Sequence, residues 1–70
     1  MRAGEFLRRL RELARRQAVS YRFVPSMGKG SHGKVYFGSR STIVKDRKKE
    51  VGVGLLRQMC KDLGIDPGHL

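Results

Sequence analysis

Residues 28–35 read Gly-Lys-Gly-Ser-His-Gly-Lys-Val, a glycine-rich cationic stretch built around one histidine. Glycines at 28, 30 and 33 let a backbone approach an anion closely, and Lys29 and Lys34 bracket the stretch with positive charge. The chemistry this suggests is phosphate recognition. His32 adds an imidazole, the side chain most often used as a general acid or base. Beside an RNA phosphodiester it could take the proton of the 2′-hydroxyl as that oxygen attacks phosphorus. Lys29 or Lys34 would then stabilise the charge building on the phosphorane-like transition state. The second histidine, His69, falls in a tail beyond Pro67 and receives no role. Glu5, Glu12, Asp46, Glu50, Asp62 and Asp66 are scattered, so no carboxylate cluster for Mg²⁺ is expected and any nuclease here works without metal or cofactor.

Three phosphate-binding patterns overlap in the same stretch, and each fails on its context. As Gly-x4-Gly-Lys it resembles a P-loop, but Val35 stands where Ser or Thr must hold the magnesium, and a strand follows where a helix is required. As Gly-x-Gly-x-x-Gly it matches a dinucleotide fingerprint without the parallel βαβ unit around it. With Val35 and the later Thr42-Ile43-Val44-Lys45 it imitates a protein-kinase glycine loop and strand lysine. Too few residues follow Lys45 to supply a second lobe with its catalytic and metal-binding aspartates. What survives is the shared physical content, an anion-seeking loop.

The elements that must position this loop are legible from periodicity. Residues 3–18 carry Ala3, Phe6, Leu7, Leu10, Leu13 and Ala14 at helical spacing, with Arg8, Arg9, Arg11, Arg15 and Arg16 on the other faces. Residues 20–24 alternate as a strand. Residues 34–37 form a second strand, with Val35 and Phe37 to one side and Tyr36 to the other. Gly38-Ser39 is a tight turn, and Ser41–Val44, rich in β-branched residues, make the third strand. Residues 45–50 are a charged loop. A second helix runs from about residue 52 or 53 to Leu63 on a stripe of Leu55, Leu56, Met59, Cys60 and Leu63. Gly64 stops it and Pro67 bars its resumption. Cys60, on the stripe, is expected to be a small buried hydrophobe. The predicted fold is a two-layer α+β sandwich, α-β-β-β-α, with a three-stranded antiparallel meander and both helices on one face. The opposite sheet face is left open for a ligand.

Composition narrows the class of partner. The 70 residues hold 16 Lys+Arg against 6 Asp+Glu, a net charge of +10, with 39% hydrophobic residues. That allows one small domain over residues 1–70 and excludes two-lobed enzymes, doubly wound sheets and barrels. So large a charge on so small a surface favours a polyanionic partner, in a cytoplasm most abundantly nucleic acid. A single cysteine argues for a reducing compartment. Neither a secretory signal nor a membrane-spanning run is visible, so a cytoplasmic protein without a membrane partner is expected.

Lys29-Gly-Ser-His32, followed by two strands and then Lys48-Lys-Glu-Val-Gly-Val-Gly-Leu-Leu-Arg57 and Leu63-Gly-Ile65, resembles the HicA toxins of bacterial type II toxin–antitoxin systems. The resemblance covers residues of about 5–66. It implies a fold similar to double-stranded-RNA-binding domains and an mRNA interferase activity centred on the histidine of the Gly-Ser-His element. It also implies a HicB-type antitoxin that covers the site in a hetero-oligomer. The combined reading is a metal-independent endoribonuclease with His32 catalytic and Lys29, Ser31, Lys34, Lys45 and Arg47 as RNA contacts. Arg22, Lys48 and Lys49 add a weaker electrostatic platform, and Tyr36 could stack on a base. The first rival is a non-catalytic RNA-binding module of the same fold, and His32 is the residue that separates the two. The second is a peripheral membrane or acidic-protein binder led by the basic first helix.

Overall fold

A computed structural model describes residues 1–26 and 32–70. Helix α1 (Ala3–Arg16) is followed by strands β1 (Tyr21–Pro25), β2 (Gly33–Phe37) and β3 (Arg40–Val44), then helix α2 (Val53–Leu63) and a 3₁₀ turn (Pro67–His69). The α-β-β-β-α order expected from periodicity is the one observed.

Good helix formers, Leu, Arg, Glu and Ala, fill most of α1, and its six apolar positions are all buried. No side chain caps its N-terminus. The first free amides instead donate to the loop after β3: Ala3 N–H to the Lys49 carbonyl at 3.0 Å and Gly4 N–H to the Arg47 carbonyl at 2.9 Å. The Val51 amide donates back to the Met1 carbonyl, and Arg2 bridges to Glu50. The start of the chain and the loop 45–50 therefore hold each other.

The strands lie in the order β1-β2-β3, all antiparallel. Phe37 pairs with Arg40, which makes Gly38-Ser39 a two-residue hairpin turn with Gly38 at φ +62°. Register puts Phe23, Val35 and Thr42 in one cross-strand row on the inner face. Arg22, Tyr36 and Ser41, and then Val24, Lys34 and Ile43, form rows on the outer face. Val35, Phe37 and Val44 are buried in a single core with Phe6, Leu10, Met59, Cys60 and Leu63, so both helices cover the same side of the sheet. Each such side chain, taken wholly out of water, stabilises the fold by about 1.5–3 kcal/mol.

Helix α2 differs from its predicted stripe in one turn. Met59, Cys60 and Leu63 are buried and Leu56 is half-buried, but Leu55 is 49% exposed. The helix turns positions 56, 59, 60 and 63 toward the core, a run of i, i+3, i+4 and i+7, which leaves Leu55 beside the exposed Ile43. A hydrogen bond from the Thr42 hydroxyl to Asp62 Oδ2, 3.0 Å, ties α2 to β3. The tail beyond Pro67 packs against the fold. Asp66 Oδ1 accepts the Gly68 amide at 2.9 Å and caps the 3₁₀ turn. Arg9 and Arg16 donate to the carbonyls of Leu70 and His69, and Leu70 packs on the core. His69 thus lies against the C-terminal half of α1. Among the described residues no helix is long and apolar enough to cross a membrane.

Candidate functional site

His32 immediately precedes β2, and its backbone is held by the sheet. Its carbonyl accepts the Ser26 amide at 2.9 Å, one step beyond the Pro25–Gly33 pair that ends the β1–β2 ladder. Its side chain is exposed and lines a cleft of about 320 Å³ between the end of β3, the loop 45–50 and the first half of α2. Val44, Val51 and Met59 make the apolar floor, with Ile43 and Leu55 at the wall. Lys45, Lys49, Asp46 and Glu50 share the rim with His32.

The rim charges are not equivalent. Glu50 forms an ion pair with the N-terminal ammonium of Met1. Asp46 Oδ1 accepts the Lys48 amide at 2.9 Å and its carbonyl accepts the Lys49 amide at 3.3 Å, which shapes the loop. Lys45 and Lys49 have no ion pair among the described residues. An anion entering the cleft therefore meets two ammonium groups without an ion pair among the described residues, an imidazole and an apolar wall. That arrangement can bind a phosphate, move a proton at His32 and support a base on Ile43 and Leu55. Among the described residues no group of three or more His, Cys, Asp or Glu is placed to hold a metal ion.

Other expected site residues fall in different places. Lys34 lies on the outer sheet face with its ammonium 5.4 Å from the centroid of the Tyr36 ring, and it borders a neighbouring hollow that shares Lys45, Ile43 and Leu55 with the cleft. Tyr36 is on the open face, 37% exposed, so it is available to a stacking base. Arg47 does not join His32. Its guanidinium lies over the Phe23 ring, 5.0 Å from the centroid, on the α1 side of the loop. Lys29 and Ser31, with the glycines at 28 and 30, lie outside the described residues. The cleft sits at the edge of the sheet rather than on the open face where a ligand was expected.

Lys49 stood in the sequence only as part of a diffuse platform, Leu55 only as an apolar position and Val51 only within the motif of residues 48–57. The signal that could have promoted them is the uncapped start of α1, whose free amides need acceptors and draw residues 47–51 against the first helical turn. Cys60 is fully buried in the core, and burial pushes its thiol above the ordinary range, with Asp66 adding to the effect. It is a packing residue, as expected. No family model matches the chain, and no curated protein or solved structure matches it at a significant level.

Proposed function

We propose that this chain is a metal-independent endoribonuclease of the HicA toxin type, acting on mRNA in the cytoplasm. The observation that carries the reading is the exposed His32 at the rim of a cleft with Lys45 and Lys49, which have no ion pair among the described residues. In the proposed reaction the His32 imidazole takes the 2′-hydroxyl proton while O2′ forms its bond to phosphorus. The P–O5′ bond breaks, leaving a 2′,3′-cyclic phosphate, and the departing 5′-oxygen takes a proton from water or a cleft ammonium. Lys45 and Lys49 neutralise the non-bridging oxygens as charge builds on them. A HicB-type antitoxin, acidic on the surface that meets this cleft, would silence the chain in a hetero-oligomer by occupying the phosphate positions.

The test is cleavage of a dye-labelled single-stranded RNA in the presence of a chelator. Loss of a positioned acid–base group is expected to slow cleavage by His32→Ala about 10²–10⁴-fold, with RNA affinity nearly unchanged and a cyclic phosphate as the wild-type product. Undiminished cleavage by His32→Ala would remove the proposed mechanism. RNA binding by the wild-type chain without any cleavage would instead identify the non-catalytic module.

A further inference from the structure

The loop 45–50 has two sides, and only one of them faces His32. Lys45 and Lys49 enter the cleft, whereas Arg47 leaves on the opposite side. There it joins a second groove of about 430 Å³ between α1 and the free edge of β1, with Gly4, Arg8, Arg11, Tyr21 and Phe23. Arg47 is anchored at both ends. Its carbonyl accepts the Gly4 amide at 2.9 Å, and its guanidinium lies over the Phe23 ring with Cζ 5.0 Å from the centroid. A Cβ at residue 4 would stand 3.2 Å from that carbonyl, so the loop lies tight on the first turn of α1.

The charge in this groove is largely uncompensated. Arg8 is held by both oxygens of Glu5, but Arg11 and Arg47 have no carboxylate partner among the described residues. The field of Arg11 reaches the groove floor, where it opposes the upward push that burial gives the Tyr21 hydroxyl. A planar guanidinium placed over a ring, with no carboxylate partner among the described residues, keeps its N–H fork for bidentate contact with a phosphate.

We infer that the α1–β1 groove is a second phosphodiester-binding subsite, in which Arg47 and Arg11 hold the backbone of an RNA strand whose neighbouring segment lies in the His32 cleft. The inference rests on the ribonuclease reading for the identity of the strand. Geometry favours a flexible strand over a bilayer surface. The loop 45–50 contributes side chains to both cleft and groove, so one flexible strand crossing that loop can reach both. A membrane-surface site needs apolar side chains to insert beside its cations. Among the described residues the exposed large hydrophobics, Tyr36, Ile43, Val53 and Leu55, lie on the outer sheet face and α2, away from this groove.

The experiment measures fluorescence anisotropy of a labelled trinucleotide and a labelled dodecanucleotide of single-stranded RNA, with His32→Ala and with His32→Ala/R11Q/R47Q. Removing two phosphate contacts is expected to weaken the dodecanucleotide at least about tenfold and to flatten its log K against log salt slope by about 1.4. The trinucleotide, too short to occupy both places, keeps its affinity for the cleft. An R11K/R47K pair, which keeps the charge, restores most of the slope. Unchanged affinity and slope for the long RNA, or an equal loss for the short one, overturns the subsite. So does a loss confined to phosphatidylserine vesicles with RNA binding intact. Should R11Q/R47Q fail to fold, the single R11Q carries the same test with a slope change of about 0.7. Cleavage by the His32→Ala chain is scored separately, so failure of the catalytic reading stays distinct from failure of the groove.

Discussion

At Gly33 the chain has no room for a side chain. A Cβ there would press on the end of the Phe23 ring and stand 2.8 Å from the Val24 carbonyl oxygen, which is backbone and has no rotamer to yield. The residue after His32 is therefore dictated by the packing of β1 against β2 and not by chemistry at the cleft. Gly33→Ala is expected to destabilise the fold by about 1–3 kcal/mol, the usual cost of overpacking, read as a lower urea midpoint. Gly54 is the opposite case. It is exposed in α2, and a Cβ there would meet nothing within 4 Å. Gly54→Ala is expected to raise stability by about 0.5–1 kcal/mol through helix propensity alone. The same denaturation experiment reads both, and matching signs would contradict this account of the two glycines.

The two helices end in the same way with different residues. In α2 the Ile65 amide donates to the Cys60 carbonyl and the Gly64 amide to the Lys61 carbonyl, with Gly64 at φ +69°. In α1 the Val19 amide donates to Ala14 and the Ala18 amide to Arg15, with Ala18 at φ +54°. An alanine holds the left-handed position that glycine takes in the other helix, at a steric cost of about 1–2 kcal/mol. Ala18→Gly is expected to raise the thermal midpoint by a few degrees, and Gly64→Ala to lower it by a similar amount. The positive φ carries the same strain at both positions, while the end of the exposed Arg40 side chain that the new Cβ would meet is free to move aside.

Element identity was legible because both helices bury one stripe and the central strand buries one face, so the periods of 3.6 and 2 are written in residues 3–14, 35–37 and 56–63. Leu55 misled because an apolar residue one position off a stripe reads the same whether it faces core or cleft. The docked tail was hidden because its partners, Arg9 and Arg16, bind backbone carbonyls, which every residue has. Of the candidate site, His32 and Lys45 do converge. Arg47 diverges because adjacent residues of a stapled loop leave from opposite sides, and linear spacing carries no such information.

For the whole molecule the governing quantity is charge, +10 over 70 residues, beside a small core that includes two groups reluctant to ionise. Burial raises both the Cys60 thiol and the Tyr21 hydroxyl. The unfolded chain releases these protons first, so it binds fewer protons than the native state as pH climbs, and stability falls. The window opens near the ordinary thiol and phenol values, about 8.5 and 10, and below them the contribution is fully present. Glu5 acts at the other end: its hydrogen bonds to Arg8 hold the carboxyl below its usual range, so that contribution is lost as pH falls through the acid range. Urea titrations from about pH 8 to 10 are expected to show declining stability in the wild-type chain and a shallower decline in Cys60→Ala. An equal slope in the two chains would show that the thiol plays no part.

The first turn of α1 has no side-chain cap and borrows its acceptors from the very loop that carries Lys45, Arg47 and Lys49. Amides at a helix start ordinarily swap their hydrogens with solvent freely, but those of Ala3 and Gly4 can do so only when that loop lifts away. Deuterium uptake at these two positions is thus a clock for the opening of cleft and groove together, readable with no RNA present.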